Sequence, residues 1–231
     1  MAAGGRGPVT EQYVHALALG LDSGWRRLPD AQRRSTLADF VSSVERAQDV
    51  KSYAYTMVGL QAGVDLLLWR LAPSLEALEE SAAAALRCGM GTWMSAKESF
   101  LGLIQPSQYV KKPTPQEQSL FSGERSRYLI VYPFTKSADW YLLDKDTRQR
   151  VMNEHMRVGH GYPQVRQLLA YSFGLDDQDF VVAYETDDLP AFGELVRALR
   201  STESRRSTVR DTPILAGIHR PLGDLAELLG A

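Results

Sequence analysis

Short apolar runs and longer stretches of helical spacing alternate along this chain, and their order repeats. In the first half a strand over Tyr13–Leu19 precedes a helix over Ala31–Ala47. Two apolar runs follow, Tyr55-Thr-Met-Val-Gly59-Leu60 and Asp65-Leu-Leu-Leu-Trp69, then a helix containing Leu75-Glu-Ala-Leu78 and Ala85-Leu86-Arg87, then a strand at Ser99–Ile104. The second half runs in the same order: strand Tyr128–Phe134, helix Asp146–Val158, strand Arg166–Ser172, strand Asp179–Tyr184, helix Pro190–Arg200 and strand Pro213–Ile218. Gly59-Leu60 and Gly174-Leu175 separate paired apolar runs, as hairpin turns do. The pattern predicts β-α-β-β-α-β twice, a duplicated ferredoxin-like α+β fold with helices on one face of each antiparallel sheet.

The expected organisation follows from the spacing. Residues 1–9 form a flexible polar lead, 10–105 the N-terminal half, 106–127 a linker marked by Pro106, Pro113, Pro115 and Gly123, and 128–231 the C-terminal half. A short amphipathic tail, Leu222 to Leu229, closes it.

Composition narrows the chemistry. The 231 residues carry a formal charge of −2 with scattered basic residues, which gives no footprint for nucleic acid. No apolar run is long enough to span a membrane, and the lead has no apolar signal core, so a cytoplasmic protein is expected. One cysteine, Cys88, excludes an intrachain disulfide and any multi-cysteine metal site. Cys88 itself reads as a small hydrophobe at a helix end. A metal would need histidine, carboxylates or a prosthetic group.

His155 is the residue on which the reading turns. Val151, His155 and Val158 fall at i, i+4 and i+7, one stripe of a helix that is otherwise polar. The counterpart helix in the first half has no histidine. An imidazole on an inward face needs a partner, and the residues alone leave open whether that is a polar neighbour or a metal. His15, His160 and His219 read as structural or solvated. Three other features bear on the choice. Tyr132 and Lys136 bracket Pro133 at the end of a strand; proline is expected to stop pairing there and leave Lys136 projecting. Gln167, Leu169 and Tyr171 share one strand face by period two, with Arg166 on the other. Glu203, just beyond a helix, is placed to accept a proton from an imidazole.

Together these residues resemble the chlorite dismutase superfamily, over nearly the whole chain. The most specific stretch is Tyr132-Pro-Phe-Thr-Lys136-Ser-Ala-Asp-Trp140-Tyr-Leu-Leu, followed by Glu154-His155 and Tyr171-Ser-Phe-Gly-Leu-Asp-Asp177. Leu67-Leu-Trp69-Arg70 and Ser99-Phe100-Leu-Gly match in the first half. The resemblance implies haem in the C-terminal half, His155 as axial iron ligand, Glu203 as the carboxylate behind it, and a homo-oligomer, with a pentamer expected. Within the superfamily it is similar to the coproheme decarboxylases, which implies iron coproporphyrin III and hydrogen peroxide as substrates and haem b as product. It also implies Tyr132 as the redox-active tyrosine, Lys136 as a propionate contact and Gln167 as a distal hydrogen-bond donor. True chlorite dismutases carry an arginine where this chain has Gln167, and usually an aliphatic residue at Tyr132. The chain departs from the decarboxylases in its linker, where Gln116-Glu-Gln-Ser stands in place of propionate-binding arginines and no histidine occurs. Near the C-terminus, Gly217-Ile-His219 is closer to the chlorite dismutase pattern. The alternatives are therefore a chlorite dismutase, a haem-binding protein of the same fold without catalysis, and an oligomeric barrel with no cofactor.

Overall fold

The structure is a computed structural model that describes residues 13–109 and 124–230. The described elements are β1 (Tyr13–Leu21), α1 (Asp30–Glu45), β2 (Lys51–Gln61), β3 (Val64–Ala72), α2 (Leu75–Leu86), β4 (Met94–Leu103), β5 (Tyr128–Lys136), α3 (Ala138–Leu142), α4 (Lys145–His160), β6 (Arg166–Tyr171), β7 (Phe180–Thr186), α5 (Leu189–Arg200), β8 (Thr208–Arg210), β9 (Leu215–His219) and α6 (Leu225–Leu229). The predicted lead at 1–9 and linker positions 110–123 lie outside the described residues.

The strands pair in the order β7-β6-β4-β1-β3-β2-β9-β5, and β5 pairs back to β7, so the antiparallel sheet closes into a barrel. The first half contributes β4-β1-β3-β2 and the second β9-β5-β7-β6. Each half therefore has its fourth, first, third and second strands side by side, and the two meet at the β2–β9 and β4–β6 seams. Closure brings backbones close at both seams, and each fourth strand has a glycine there. A Cβ on Gly102 would lie 2.7 Å from Ala170 Cβ, and one on Gly217 would lie 2.7 Å from Tyr55 Cβ.

Strands buried on both faces read as continuous apolar runs, and β3, Val64-Asp-Leu-Leu-Leu-Trp-Arg-Leu-Ala72, is of this kind. Leu67, Trp69 and Leu71 point into the barrel with Val14, Ala16, Phe100, Val131, Leu168, Ala170 and Val181. Leu66 and Leu68 face the other way, under α1 and α2. Both halves thus share one interior. The helices start where side chains satisfy their free N–H groups: Ser74 Oγ accepts from Ala77 N, Asp144 from Thr147 N, and Asp188 from Ala191 N.

Two expectations are corrected. Gly59-Leu60 is not the first hairpin's turn; β2 continues to Gln61, which pairs with Val64, so the turn is Ala62-Gly63. Gly59 (φ +70°) produces a register shift within the strand, and Gly63 (φ +75°) makes the turn, both conformations that a side chain disfavours. Nor does Pro133 end β5. It pairs with Val181 of β7 on one side. On the other side, β9 pairing stops at Val131 and β8 pairing begins at Thr135. The missing N–H falls in that gap, where a ladder loses nothing.

Candidate active site

The halves differ in what covers the helix side of the sheet. In the first half Leu17, Leu19, Leu66 and Leu68 are sealed by Trp25, Phe40, Val44 and Met90. In the second, α5 lies against the strands, with Leu195, Phe192 and Leu199 on Ile130, Val182 and Tyr184. Helix α4 packs chiefly on α5 and on the Glu203–Ser207 turn, and only its Val151 and Gly159 are buried. The sheet face on this side is a lattice in register: Ile130, Tyr132 and Phe134 of β5, Tyr184, Val182 and Phe180 of β7, then Gln167, Leu169 and Tyr171 of β6. Leu169 stays 44% exposed in the middle of it. A half-covered apolar floor beside a helix that stands off it forms a slot.

His155 lies on the predicted stripe and is half-buried. Its Nδ1 faces Ser204 Oγ at 3.2 Å, and Nε2 has no hydrogen-bond partner among the described residues. Burial and the nearby Lys136 charge push its pKa down to about 4, against the opposing pull of Glu154. The ring is therefore neutral at pH 7, with one nitrogen held and the other free, which is what an axial metal ligand requires.

Glu203 does not sit behind that ring. Both its carboxylate oxygens accept from Arg150, at 2.7 and 3.0 Å, and its backbone N–H donates to Glu154 at 3.0 Å. Within the tight turn, Glu203 is directed outward and the next residue, Ser204, inward. Sequence reasoning missed Ser204, whose only signal was its place beside an expected acid.

Lys136 does not project either. It is buried, with Nζ donating to Ser204 O at 2.8 Å and lying 4.7 Å from the Trp140 ring centroid and 5.3 Å from that of Phe134. Because β5 runs on past Pro133, this side chain turns in behind α3. Burial, with Arg205 adding repulsion, lowers its pKa to about 8. Lys136, Ser204 and His155 thus form one connected chain of contacts.

Tyr132 is half-buried on the floor, and its ring stacks on Tyr184 with centroids 6.2 Å apart. Desolvation, and then the Tyr184 phenol, raise its pKa well above the ordinary tyrosine value, so the proton stays on Oη. Gln167 pairs in register with Tyr184 and faces the slot. Arg166 points into the barrel, donating to Glu185 at 2.9 Å and Ser126 Oγ at 2.8 Å. Tyr132 and Gln167 therefore share the sheet face, Lys136 and Ser204 lie behind the His155 imidazole, and Glu203 is turned outward to Arg150. His219 packs on Tyr55 with ring centroids 5.4 Å apart, at the β2–β9 seam.

These residues fit an iron porphyrin: an apolar, partly open floor for the ring, and a neutral imidazole with a free nitrogen for the metal. The chlorite dismutase family model matches residues 21–220. The chain is 32% identical over 182 residues to coproheme decarboxylase from Mycolicibacterium smegmatis, covering 78% of each protein. Among solved structures, a mutant chlorite dismutase from Candidatus Nitrospira defluvii superposes with a TM-score of 0.87 at 29% identity, over 96% of this chain and 98% of that one. The same organism's enzyme in complex with imidazole gives 0.86 at 29% identity, over 95% of both chains. A match spanning both seams and the slot places this chain in the chlorite dismutase family.

Proposed function

We propose that this protein removes two propionate carboxyl groups from iron coproporphyrin III, with hydrogen peroxide as oxidant, to give haem b. The observation that carries the reading is the pair on the floor of the slot: a phenol that keeps its proton and a neutral Gln167, with the neighbouring arginine turned into the barrel. An anionic oxidant such as chlorite would be held by a guanidinium there; peroxide needs only a hydrogen-bond donor, which Gln167 supplies. The decarboxylase from Mycolicibacterium smegmatis supports the same choice.

When bound, the iron porphyrin supplies oxidising equivalents from peroxide and presents the propionates that react. His155 would hold the iron through Nε2, with Ser204 orienting the ring through Nδ1 and Lys136 fixing the Ser204 carbonyl. This makes Lys136 a positioning residue. Tyr132 keeps its proton on Oη, because burial makes the phenolate costly, and so would give up proton and electron together. Per propionate, one peroxide is consumed, one carbon dioxide and two waters leave, and the two remaining carbons become a vinyl group.

Incubation with iron coproporphyrin III and peroxide, followed by mass spectrometry, tests this. Loss of two carboxyl groups in wild type but not in Tyr132→Phe is expected. Oxygen release from chlorite without decarboxylation would assign the chain to chlorite chemistry instead, and a His155-dependent Soret band with neither turnover would make it a haem-binding protein. We further infer that the halves descend from one duplicated ferredoxin-like unit, as their shared fourth-first-third-second strand order suggests. The same reading carries a cytoplasmic homopentamer; no helix among the described residues is long and apolar enough to cross a membrane.

A further inference from the structure

The proposed substrate carries four carboxylates, and the buried Lys136 already donates its Nζ to Ser204 O. Helix α4 supplies another group. Arg148 lies seven residues before His155, on the same inward side of the helix. Seven residues span about 10.5 Å along the axis, comparable to the reach from the centre of a porphyrin to the carboxylates at its rim. Its side chain is half-buried, and its Nε is fully buried with no hydrogen-bond partner. It forms no ion pair with any described residue.

An unmatched buried guanidinium N–H is costly, and its surroundings indicate what would satisfy it. The charge of Arg148 acts on the Tyr141 phenol, whose hydroxyl donates to Asp179 Oδ2 at 2.6 Å. Asp179 Oδ2 also accepts from Lys136 N at 2.7 Å, so that oxygen is already occupied. Tyr141 meets the Phe173 ring edge-on at 5.7 Å, and Phe173 continues into Tyr171 and Phe180. Tyr141 and Phe173 are 38% and 49% exposed, so aromatic faces reach solvent at this end of the sheet, beside the Arg148 charge that acts on Tyr141. Flat rings beside a guanidinium suit a flat, apolar ligand with an anionic edge.

We propose that Arg148 receives a rim carboxylate of the bound porphyrin at this aromatic end of the sheet, donating through Nε and the edge of its guanidinium. The assignment rests on the porphyrin reading above. It makes Arg148 a determinant of selectivity for carboxylate-rich porphyrins, because each carboxylate lost at that edge leaves the N–H unmatched again.

The test is binding and needs no turnover. The full-length protein, free of porphyrin, is titrated with iron coproporphyrin III and separately with its tetramethyl ester, which keeps ring and iron but has no charge. The Soret band reports both. Arg148→Gln is expected to weaken the tetra-acid about tenfold or more, the scale of a charge-assisted bond, and to leave the ester unchanged. Arg148→Lys should fall between, since it keeps charge but loses the planar fork. An unchanged tetra-acid affinity, or an equal loss for both ligands, overturns the assignment, as does a wild type that binds neither. A wild type that binds the tetra-acid through Arg148 but does not decarboxylate it sinks the decarboxylase reading and leaves this one standing.

Discussion

Truncating Glu185 to alanine removes the carboxylate that two arginines and a tyrosine share inside the barrel. Its side chain is fully buried and joins β2, β6 and the segment before β5. Tyr55 of the first half donates to Oε1. Arg166 of β6 donates to Oε2 at 2.9 Å, and Arg125 of the segment before β5 approaches Oε2 at 3.7 Å with its own side chain 2% exposed. Alanine leaves two guanidinium groups and a phenol facing one another in a dry interior. Breaking a buried pair from one side costs about 3–5 kcal/mol, a large share of a total stability of about 5–15 kcal/mol. For a chain of this size, about 2–4 °C of melting temperature go with each kcal/mol, so Glu185→Ala should melt about 6–20 °C below wild type. The consequence reaches the slot, because Arg166↔Glu185 and Gln167↔Tyr184 are successive rungs of one ladder. Thermal melts followed by circular dichroism, with urea midpoints as a second measure, give the loss. A double replacement, Glu185→Leu with Arg166→Met, should recover part of it, since a matched apolar pair leaves fewer buried charges than the single variant. A Glu185→Ala protein that melts within 2 °C of wild type would refute the argument that this cluster holds the barrel together.

Other outcomes follow from single contacts. His15, bonded to Ser99 and Arg70 under α2, has its pKa lowered to about 4 by burial and then by Arg70. It is neutral in both folded and unfolded chains above pH 6.5. Between 6.5 and 4 only the unfolded chain takes up the proton, so stability falls there by about 1.4 kcal/mol per pH unit; urea midpoints should drop across that window less steeply in His15→Gln. At the seams, Gly102→Val and Gly217→Val should each destabilise by about 1–3 kcal/mol through overpacking, while the same change at Gly193, which has open space around its missing Cβ, should cost less in the same melt. Ser204→Ala should leave Nδ1 of His155 without its partner and mix the ring tautomers, visible in the nitrogen-15 spectrum of the imidazole, with the fold intact by circular dichroism.

How much of this was legible in the residues varies with the kind of interaction. Every strand and helix of the repeated pattern is present, because apolar spacing and cap residues such as Ser74, Asp144 and Asp188 act over a few neighbours, although β2 begins at Lys51 and β4 at Met94, well before the apolar runs that marked them. The short α3 and β8 went unread; five and three residues carry too little periodicity to register. The turn at Ala62-Gly63 was misread because two glycines lie four residues apart, and only pairing with β3 chooses between them. Pro133 was misread because its effect depends on which neighbouring strand runs beside it.

The sequence by itself determined the repeated elements, the inward stripe of α4 with His155 on it, and the alternation that sends Gln167 and Arg166 to opposite faces. These follow from local geometry, in which a side chain's direction is set by its own backbone. Tertiary structure decided the rest: that the halves close into one barrel, that Lys136 turns inward, that Ser204 and not Glu203 meets the imidazole, and that Arg148 keeps an unmatched N–H beside exposed aromatic faces. Each depends on groups tens of residues apart along the chain, and more than a hundred apart at the Tyr55↔His219 seam, arriving within hydrogen-bond or ring-contact distance, and no spacing along a chain encodes such a meeting.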